Sequence, residues 1–472
     1  MSNGGNRRRW TVMLLAVTAI AQSSAVSSTQ AQTEGPIATT KPNVVVIVTD
    51  DQRADTLWAM PIVRSELVGR GIKFANGFAS NPLCCPSRAS ILTGTYSHTN
   101  RVYTNKTASP YGGFAAFDDA STLATWLDAE DYRTALFGKY LNGYGGKAYV
   151  PPGWDRWFST FDNGGFYDYF AVSNGTLREF GSDPTDYGTT VLAKGTVSFI
   201  EKTAASDPLF VYFAPHAPHE PASAAPGDGR SFRRLPDWRP DSFNERDVSD
   251  KPAYIRESPR MTGAERDEID AFRRDQYQSL LAVDRAIGDI LQALEDTNRL
   301  ENTLLFFMSD NGMSWGEHRW GKKLVPYEES IRVPFVVRYD AAIPTPRVDH
   351  HLVVNIDVAP TILQIVGAEI TGLDGRSLAP LFTSGNVRWR THFLLEHMHK
   401  ARGRGVPTYC GVRSEDYVYV RYYTGEREFY DLNRDPDQLV NRIGRDRYDG
   451  VVGSLHRRLR ELCRPAPPGY SF

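Results

Sequence analysis

Two apolar runs that both end in carboxylates constrain the fold more than any other feature of the chain. Val44-Val45-Val46-Ile47-Val48 is an unbroken β-branched stretch that runs straight into Thr49-Asp50-Asp51-Gln52. Such side chains favour extended backbone, and a run without alternation reads as a strand buried on both faces. Far downstream, Leu304-Leu305-Phe306-Phe307-Met308 repeats the design and ends in Ser309-Asp310-Asn311-Gly312. A carboxylate at the mouth of an apolar strand is costly unless a cation or hydrogen bonds compensate it. In open α/β sheets, ligands gather at the carboxyl ends of the strands. Asp50, Asp51, Asp310 and Asn311 offer only oxygen donors, which suits Ca²⁺ or Mg²⁺ rather than zinc. Taken singly, Asp-Asn-Gly is an ordinary turn and either aspartate an ordinary helix cap. Two such corners together favour the metal.

Between the corners, strand-like and helix-like segments alternate, which predicts an α/β fold with a mostly parallel sheet sandwiched by helices. Strands are expected at 133–137, 209–213 and 333–338, and helices at 121–129, 185–205, 262–295 and 358–366. Residues 262–295 carry Tyr277, Leu280, Leu281, Ile287, Leu291 and Leu294 at helical spacing. Asp284 falls on that stripe and reads as a structural hydrogen-bonding group. Residues 221–262 break the rhythm, being rich in Pro, Arg and Asp with no apolar period. They leave directly from His219, so a lid or substrate wall is expected there, with a solvated insertion as the alternative. After residue 372 the texture changes to short apolar segments at 392–395, 417–423 and 428–432, with a closing helix at 454–463. This predicts a main domain over 40–371 and a smaller antiparallel β/α subdomain over 372–472.

Arg7-Arg8-Arg9 precedes an apolar run over 10–21 and small residues as far as Ala31. That order reads as a signal peptide over 1–31, cut after Ala25 or Ala31, and predicts a secreted or periplasmic protein. The apolar run is short for a bilayer, and no other segment offers a membrane span. Lys and Arg number 54 against 56 Asp and Glu, so no global field recruits nucleic acid or membrane. The cysteines are Cys84, Cys85, Cys410 and Cys463. In an oxidising compartment the last two are expected to pair, which leaves the first two for chemistry.

Those two sit in Asn81-Pro82-Leu83-Cys84-Cys85-Pro86-Ser87-Arg88-Ala89-Ser90-Ile91-Leu92-Thr93-Gly94. Pro86 suits the first helical position, which would set the cysteines at a helix N-terminus, where free N–H groups and the dipole attract an anion. Arg88 on the first turn adds a bidentate donor for one. An inert buried cysteine pair is the bland alternative.

The string Cys84-x-Pro86-Ser87-Arg88-x-x-x-Leu92-Thr93-Gly94 resembles the signature of the formylglycine-dependent (type I) sulfatases. The resemblance runs from about Asn43 to Cys463. It implies an alkaline-phosphatase-like fold and oxidation of Cys84, not Cys85, to formylglycine by a formylglycine-generating enzyme. It implies a metal shell of Asp50, Asp51, Asp310, Asn311 and the modified Cys84, commonly filled by calcium. It also implies a sulfate pocket. Lys139 matches through its Gly-Lys-aromatic setting, Lys323 through Tyr327-Glu328 and Arg332-Val333-Pro334 behind it, and His219 through its His-x-Pro context. Lys322 stands beside Lys323 as a neighbouring choice. In the implied reaction a hydroxyl of the hydrated aldehyde attacks sulfur while the metal and Arg88 hold it. Lys139, Lys323 and His219 stabilise the sulfuryl oxygens, and His219 or Lys323 protonates the departing alkoxide. Where many members have a histidine two residues after the lysine, this chain has Leu141, with Asn142 as the substitute.

Gly138-Lys139-Tyr140-Leu141-Asn142, the Cys84-Cys85 pair and Asp357-x-x-Pro360-Thr361 are similar to the N-acetylglucosamine-6-sulfatase branch. The implied substrate is a sulfated carbohydrate such as 6-sulfated N-acetylglucosamine. Walls for the sugar are expected from 221–262, with Trp238 and Tyr254 as platforms, and from the region of His397 and His399. His318 is expected to line the pocket. The alternatives are a broad arylsulfatase, a phosphate or phosphonate ester hydrolase, and a silent protein that only binds sulfated glycans.

Overall fold

The computed structural model describes Met1 and residues 41–145, 148–161, 165–399 and 405–472. Apart from Met1, the expected leader lies outside the described residues. The first carboxylate-tipped run forms β1 (Asn43–Thr49), buried along its whole length. It is followed in chain order by β2 (Ile72–Phe78), β3 (Arg133–Lys139), β4 (Arg156–Thr160), β5 (Tyr169–Ser173), β6 (Thr176–Phe180) and β7 (Leu209–Ala214). The second run is β8 (Thr303–Ser309), and β9 (Phe335–Arg338) and β10 (Arg347–Val354) complete the sheet. The strand order is β10-β2-β9-β8-β1-β7-β3-β4-β5-β6. β8, β1, β7, β3 and β4 run parallel side by side, and β9 and β5 run against their neighbours. The mostly parallel sheet expected from the sequence is present. Strands β2, β6 and β10 lack the apolar signal that marked β1. β2 carries Lys73, Asn76 and Gly77, and β6 is exposed along most of its length.

Alternate side chains of β1 enter opposite cores. Val44, Val46 and Val48 join the core that includes Cys85, Ala89, Ile91 and Leu92, while Val45 and Ile47 join the one that includes Leu280, Val283, Ile287 and Leu294. Each core belongs to a layer of helices, so helices do cover both faces of the sheet. The longest helix among the described residues, Gly263–Asp296, starts at a capping box in which the Thr262 N–H donates to Glu265 Oε2 (2.7 Å) and the Glu265 N–H to Thr262 Oγ1 (3.3 Å). Asp284 accepts from the backbone N–H groups of Ile62 (3.0 Å) and Val63 (2.8 Å), which is the structural role expected for it.

The second sheet is an antiparallel meander of β11 (His392–His397), β12 (Tyr409–Ser414), β13 (Tyr417–Tyr422) and β14 (Arg427–Asp431). β12 went unread because Cys410, Gly411 and Arg413 interrupt its apolar pattern. A helix, Asp449–Leu462, closes the chain, and Cys410 is bonded to Cys463 directly after it. The sequence separation is 53 residues, so in the chain-entropy model removing this bond with a Cys410→Ser/Cys463→Ser pair should cost about 4 kcal/mol. Chemical denaturation of the variant against wild type checks this, and an unchanged midpoint would contradict it. Among the described residues, no helix is long and apolar enough to cross a membrane.

Candidate active site

Because β8, β1, β7 and β3 are parallel neighbours, their carboxyl ends lie on one edge of the sheet. Thr49 pairs with Ser309, Ile47 with Phe213, and Gly138 with Ala214. The chain leaving each strand therefore delivers Asp310, Asp50 and Asp51, His216 and His219, and Lys139 to one place. A continued strand would send Asp50 and Asp51 to opposite faces. Asp51 instead takes left-handed backbone (φ 64°), a conformation Asp tolerates better than most residues, and both carboxylates end beside Cys84. Gly138 makes the approach of Lys139 possible. Its φ is +121°, and a Cβ there would stand 2.0 Å from the Ala214 carbonyl oxygen.

Cys84 enters from the other side, as the first residue of a fully buried helix, Cys84–Thr93, that ends at left-handed Gly94. The Ser87 N–H donates to the Leu83 carbonyl (3.0 Å), so helical bonding starts two residues earlier than expected from Pro86. Pro86 thus lies third in the first turn, where its missing N–H still costs nothing. The Cys84 Sγ is 3.5 Å from Asp50 Oδ1 and 2.7 Å from Lys323 Nζ. Lys323 also donates to Asp51 Oδ1 (2.5 Å), and Lys139 to Asp50 Oδ2 (2.5 Å). Lys322, the neighbouring choice, is exposed on the cavity wall. His219 Nε2 lies 3.6 Å from Asp51 Oδ2. The Asn311 amide donates to Asp51 Oδ1 (2.6 Å), and Asp310 Oδ1 accepts from the Asp51 N–H (3.2 Å).

Arg88 is fully buried and does not present a fork to open space as expected. Its Nε donates to Asp310 Oδ2 (2.8 Å) and its Nη1 to the Lys139 carbonyl (3.1 Å), with Nη2 3.6 Å from Asp50 Oδ2. The anions it binds are the protein's own carboxylates, and it ties together three of the four strand ends. His216 had no role in the sequence reading. Its Nδ1 stands 3.7 Å from Asp50 Oδ2, and its ring lies 4.7 Å from that of His219. The only signal for it was its place at the same strand end.

The electrostatics follow from burial working against these partners. Burial raises the Asp50 pKa, but Lys139, His219, Arg88 and Lys323 outweigh it and hold the carboxyl well below its ordinary range. Burial and the neighbouring Asp50 charge push Asp310 up, against Arg88 and Lys139. Burial lowers His219, yet Asp50 and Asp51 carry it up to about 9. His216 is pushed well down by burial and by His219. Burial pushes the Cys85 thiol up to about 12, as for an inert core cysteine. Leu141, at the position of the missing histidine, is packed into the core. The Asn142 backbone hydrogen-bonds the Cys85 thiol, so its main chain contacts the neighbour of Cys84.

Above this floor opens a cavity of about 890 Å³. Asp51, His219 and Lys323 line it, together with Ser258, Pro259 and Met261 and the run from Arg319 to Leu324. The 221–262 segment thus supplies part of a wall, but not with the aromatics expected. Tyr254 is 4% exposed, with its hydroxyl 3.2 Å from that of Tyr422. Trp238 donates its indole N–H to Glu317 (2.7 Å) and lines a separate hollow beside Arg53. His318 does not line the pocket. It is fully buried, with Nδ1 2.6 Å from Glu245. His397 is buried behind Tyr409, and neither it nor His399 lines the cavity. Two other aromatics do line it, Phe272 and Trp320, and the sequence reading gave neither a role.

Comparison with protein families matches residues 42–368 to the sulfatases. The chain belongs to the sulfatase family. Residues 316–464 of this sulfatase also match the family described as N-sulphoglucosamine sulphohydrolase, C-terminal. It is 32% identical to human N-acetylglucosamine-6-sulfatase over 92% of this chain and 88% of the relative. It is 26% identical to the N-acetylglucosamine-6-O-sulfatase of Bacteroides thetaiotaomicron, over 90% and 86%. A protein solved in complex with its substrate, D-glucosamine-2-N,6-O-disulfate, superposes with a TM-score of 0.78 at 24% identity, covering 91% of this chain and 99% of that one. The phosphonate monoester hydrolase of Agrobacterium radiobacter gives 0.70 at 21%, covering 90% and 96%. At these identities the two structural likenesses carry the fold alone. The family match makes the protein an enzyme, a hydrolase of sulfuric esters.

Proposed function

We propose that this sulfatase cleaves a sulfate monoester on a sugar, 6-sulfated N-acetylglucosamine or a close analogue, using formylglycine at residue 84 and a divalent cation. The observation that carries the reading is the convergence of Cys84 and Asp50 with Asp51, Lys323 and His219, the last three of which line one cavity. The relatives named as N-acetylglucosamine-6-sulfatases support the substrate class.

The residues fit a cation. Asp50, Asp51, Cys84 and His219 bring candidate ligand atoms within 4.8 Å of one another. The Asn311 Oδ1 is buried with no hydrogen-bond partner among the described residues, although its own amide nitrogen is satisfied twice. A buried acceptor without a donor is costly, and a cation removes that cost. Asp50, Asp51, Asp310, Asn311 and the modified residue 84 would hold Ca²⁺ or Mg²⁺, which would supply positive charge beside the attacking oxygen. Converted by a formylglycine-generating enzyme, residue 84 would supply a hydrated aldehyde as nucleophile. Arg88 fixes Asp310, Asp50 and the end of β3 in one arrangement. Lys139, Lys323 and His219 place positive charge where the sulfuryl oxygens would lie. His219 and Lys323, which face the cavity, are the groups placed to protonate the departing alkoxide.

Residues 40–371 would carry the chemistry and 372–472 would support it, in an exported protein whose leader is residues 1–31. No membrane span or nucleic acid enters this reading. The phosphonate hydrolase likeness motivates a second reading, since that fold serves another ester. Protein co-expressed with the converting enzyme should release sulfate from 6-sulfated N-acetylglucosamine faster than phosphonate or phosphate from matched monoesters. A preference for the phosphorus esters would favour the second reading. Cleavage of nitrophenyl sulfate alone would reduce the function to an arylsulfatase, and binding without turnover to a silent glycan-binding protein.

A further inference from the structure

The floor of the site addresses the sulfuryl group, which every sulfuric ester shares. Whatever distinguishes one ester from another must touch the walls. Trp320 lines the cavity three residues before Lys323, and it is half-buried. Its only polar side-chain atom is already used, because the indole N–H donates to the Lys323 carbonyl (2.9 Å). What the side chain can offer the cavity is therefore carbon surface alone.

That surface is held rigidly. Tyr254 packs edge-on against the indole at 5.6 Å and 88°, and the Tyr254 hydroxyl is in turn held by Tyr422. The Trp320 N–H donates to the Glu317 carbonyl (2.8 Å), and the Trp320 carbonyl accepts from Gly316 (3.0 Å). Arg319 donates to the carbonyls of Glu245 (2.8 Å), Ser258 (3.0 Å) and Arg246 (2.8 Å), which anchors this loop to the 245–258 segment. His318 (φ 51°), Arg319 (φ 61°) and Leu324 (φ 83°) all take left-handed backbone. Non-glycine residues persist there where their surroundings over-determine them. The indole and the Lys323 amine thus stand on one stiff loop, with their separation set before any substrate arrives. The same cavity is also lined by Met261 and Phe272, apolar, and Glu268, an exposed carboxylate. A pyranose has an apolar C–H face and a rim of hydroxyls, and it suits a slot of this kind.

We propose that Trp320 is a specificity-determining residue, a fixed platform for the C–H face of the sugar ring whose sulfate reaches Lys323. The proposal rests on the sulfatase reading of the floor. It assigns to Trp320 the part expected from the sequence for Trp238 and Tyr254. Tyr254 acts one step back, by holding the platform.

The test uses formylglycine-containing protein, the methyl glycoside of 6-sulfated N-acetylglucosamine, and inorganic sulfate as an inhibitor that reaches only the floor. Trp320→Ala should raise KM for the glycoside roughly tenfold, with a smaller change in kcat and an unchanged inhibition constant for sulfate. Trp320→Phe, which keeps a flat ring, should restore most of the loss. Trp320→Leu keeps apolar volume without a flat face. It should behave like alanine, and it replaces the alanine variant if that one does not fold. A KM within twofold of wild type in the alanine or leucine variant overturns the assignment. So does a parallel loss of sulfate inhibition that phenylalanine does not rescue, since that would mark a purely structural role. No sulfate release from the glycoside by wild type overturns the substrate reading and this proposal together. A wild type that is active, with variants indifferent, overturns this proposal alone.

Discussion

Cys84→Ala should lose at least about a thousandfold of the sulfate-releasing rate, while Cys85→Ala keeps it within about tenfold. The two thiols are neighbours in the chain and unlike in surroundings. The Cys84 sulfur lies beside Asp50 and beside Lys323, which lines the cavity. The Cys85 sulfur faces the core with Ala89, Ile91 and Leu92, and burial pushes its pKa up to about 12. A thiol so desolvated is a poor nucleophile, and its loss removes one small apolar group. The covalent form of residue 84 is checked on the tryptic peptide spanning 74–88. That peptide contains both cysteines, so fragment ions must place the aldehyde. An aldehyde on residue 85, or turnover retained in Cys84→Ala, would overturn the assignment.

Removing divalent metal with a chelator should lower turnover by at least about a hundredfold, and Ca²⁺ or Mg²⁺ should restore it. The melting temperature should fall by a few degrees, because a ligand that binds only the folded state stabilises it by mass action. The fall should be modest. Lys139, Lys323 and Arg88 already pair with Asp50, Asp51 and Asp310, so the carboxylates are not left bare. Asn311→Ala separates metal binding from charge, since it removes the unpartnered oxygen and no carboxylate. It should raise the metal concentration needed for rescue about tenfold or more. Full turnover by protein shown by elemental analysis to hold no metal would refute the site.

Much of this protein was determined locally. The strands β1 and β8 and their acidic ends could be read because a buried parallel strand needs an unbroken apolar run, and a carboxylate beside it needs a reason. The helix at 358–366 has the same bounds in sequence and structure, since its apolar period and its closing Gly367 are both local signals. Cys410 and Cys463 are the pair expected to bond in an oxidising compartment, and the bond is present.

Tertiary structure decided what depends on distant neighbours. Strand pairing brought His216 beside Asp50 while His318, in an equally polar stretch, was buried against Glu245. Arg88 could be seen to seek an anion, but only the neighbouring strand ends decided that the anion is Asp310 and Asp50. The contrast among the aromatics has the same cause. Trp238, Tyr254 and Trp320 look alike in a one-dimensional chain, because an exposed platform and a buried spacer need the same ring. Which of them faces the cavity is set by what covers the others, here Glu317 and Arg53 over Trp238 and the four-stranded sheet over Tyr254. Covering is a property of the packed layers, and no local pattern carries it.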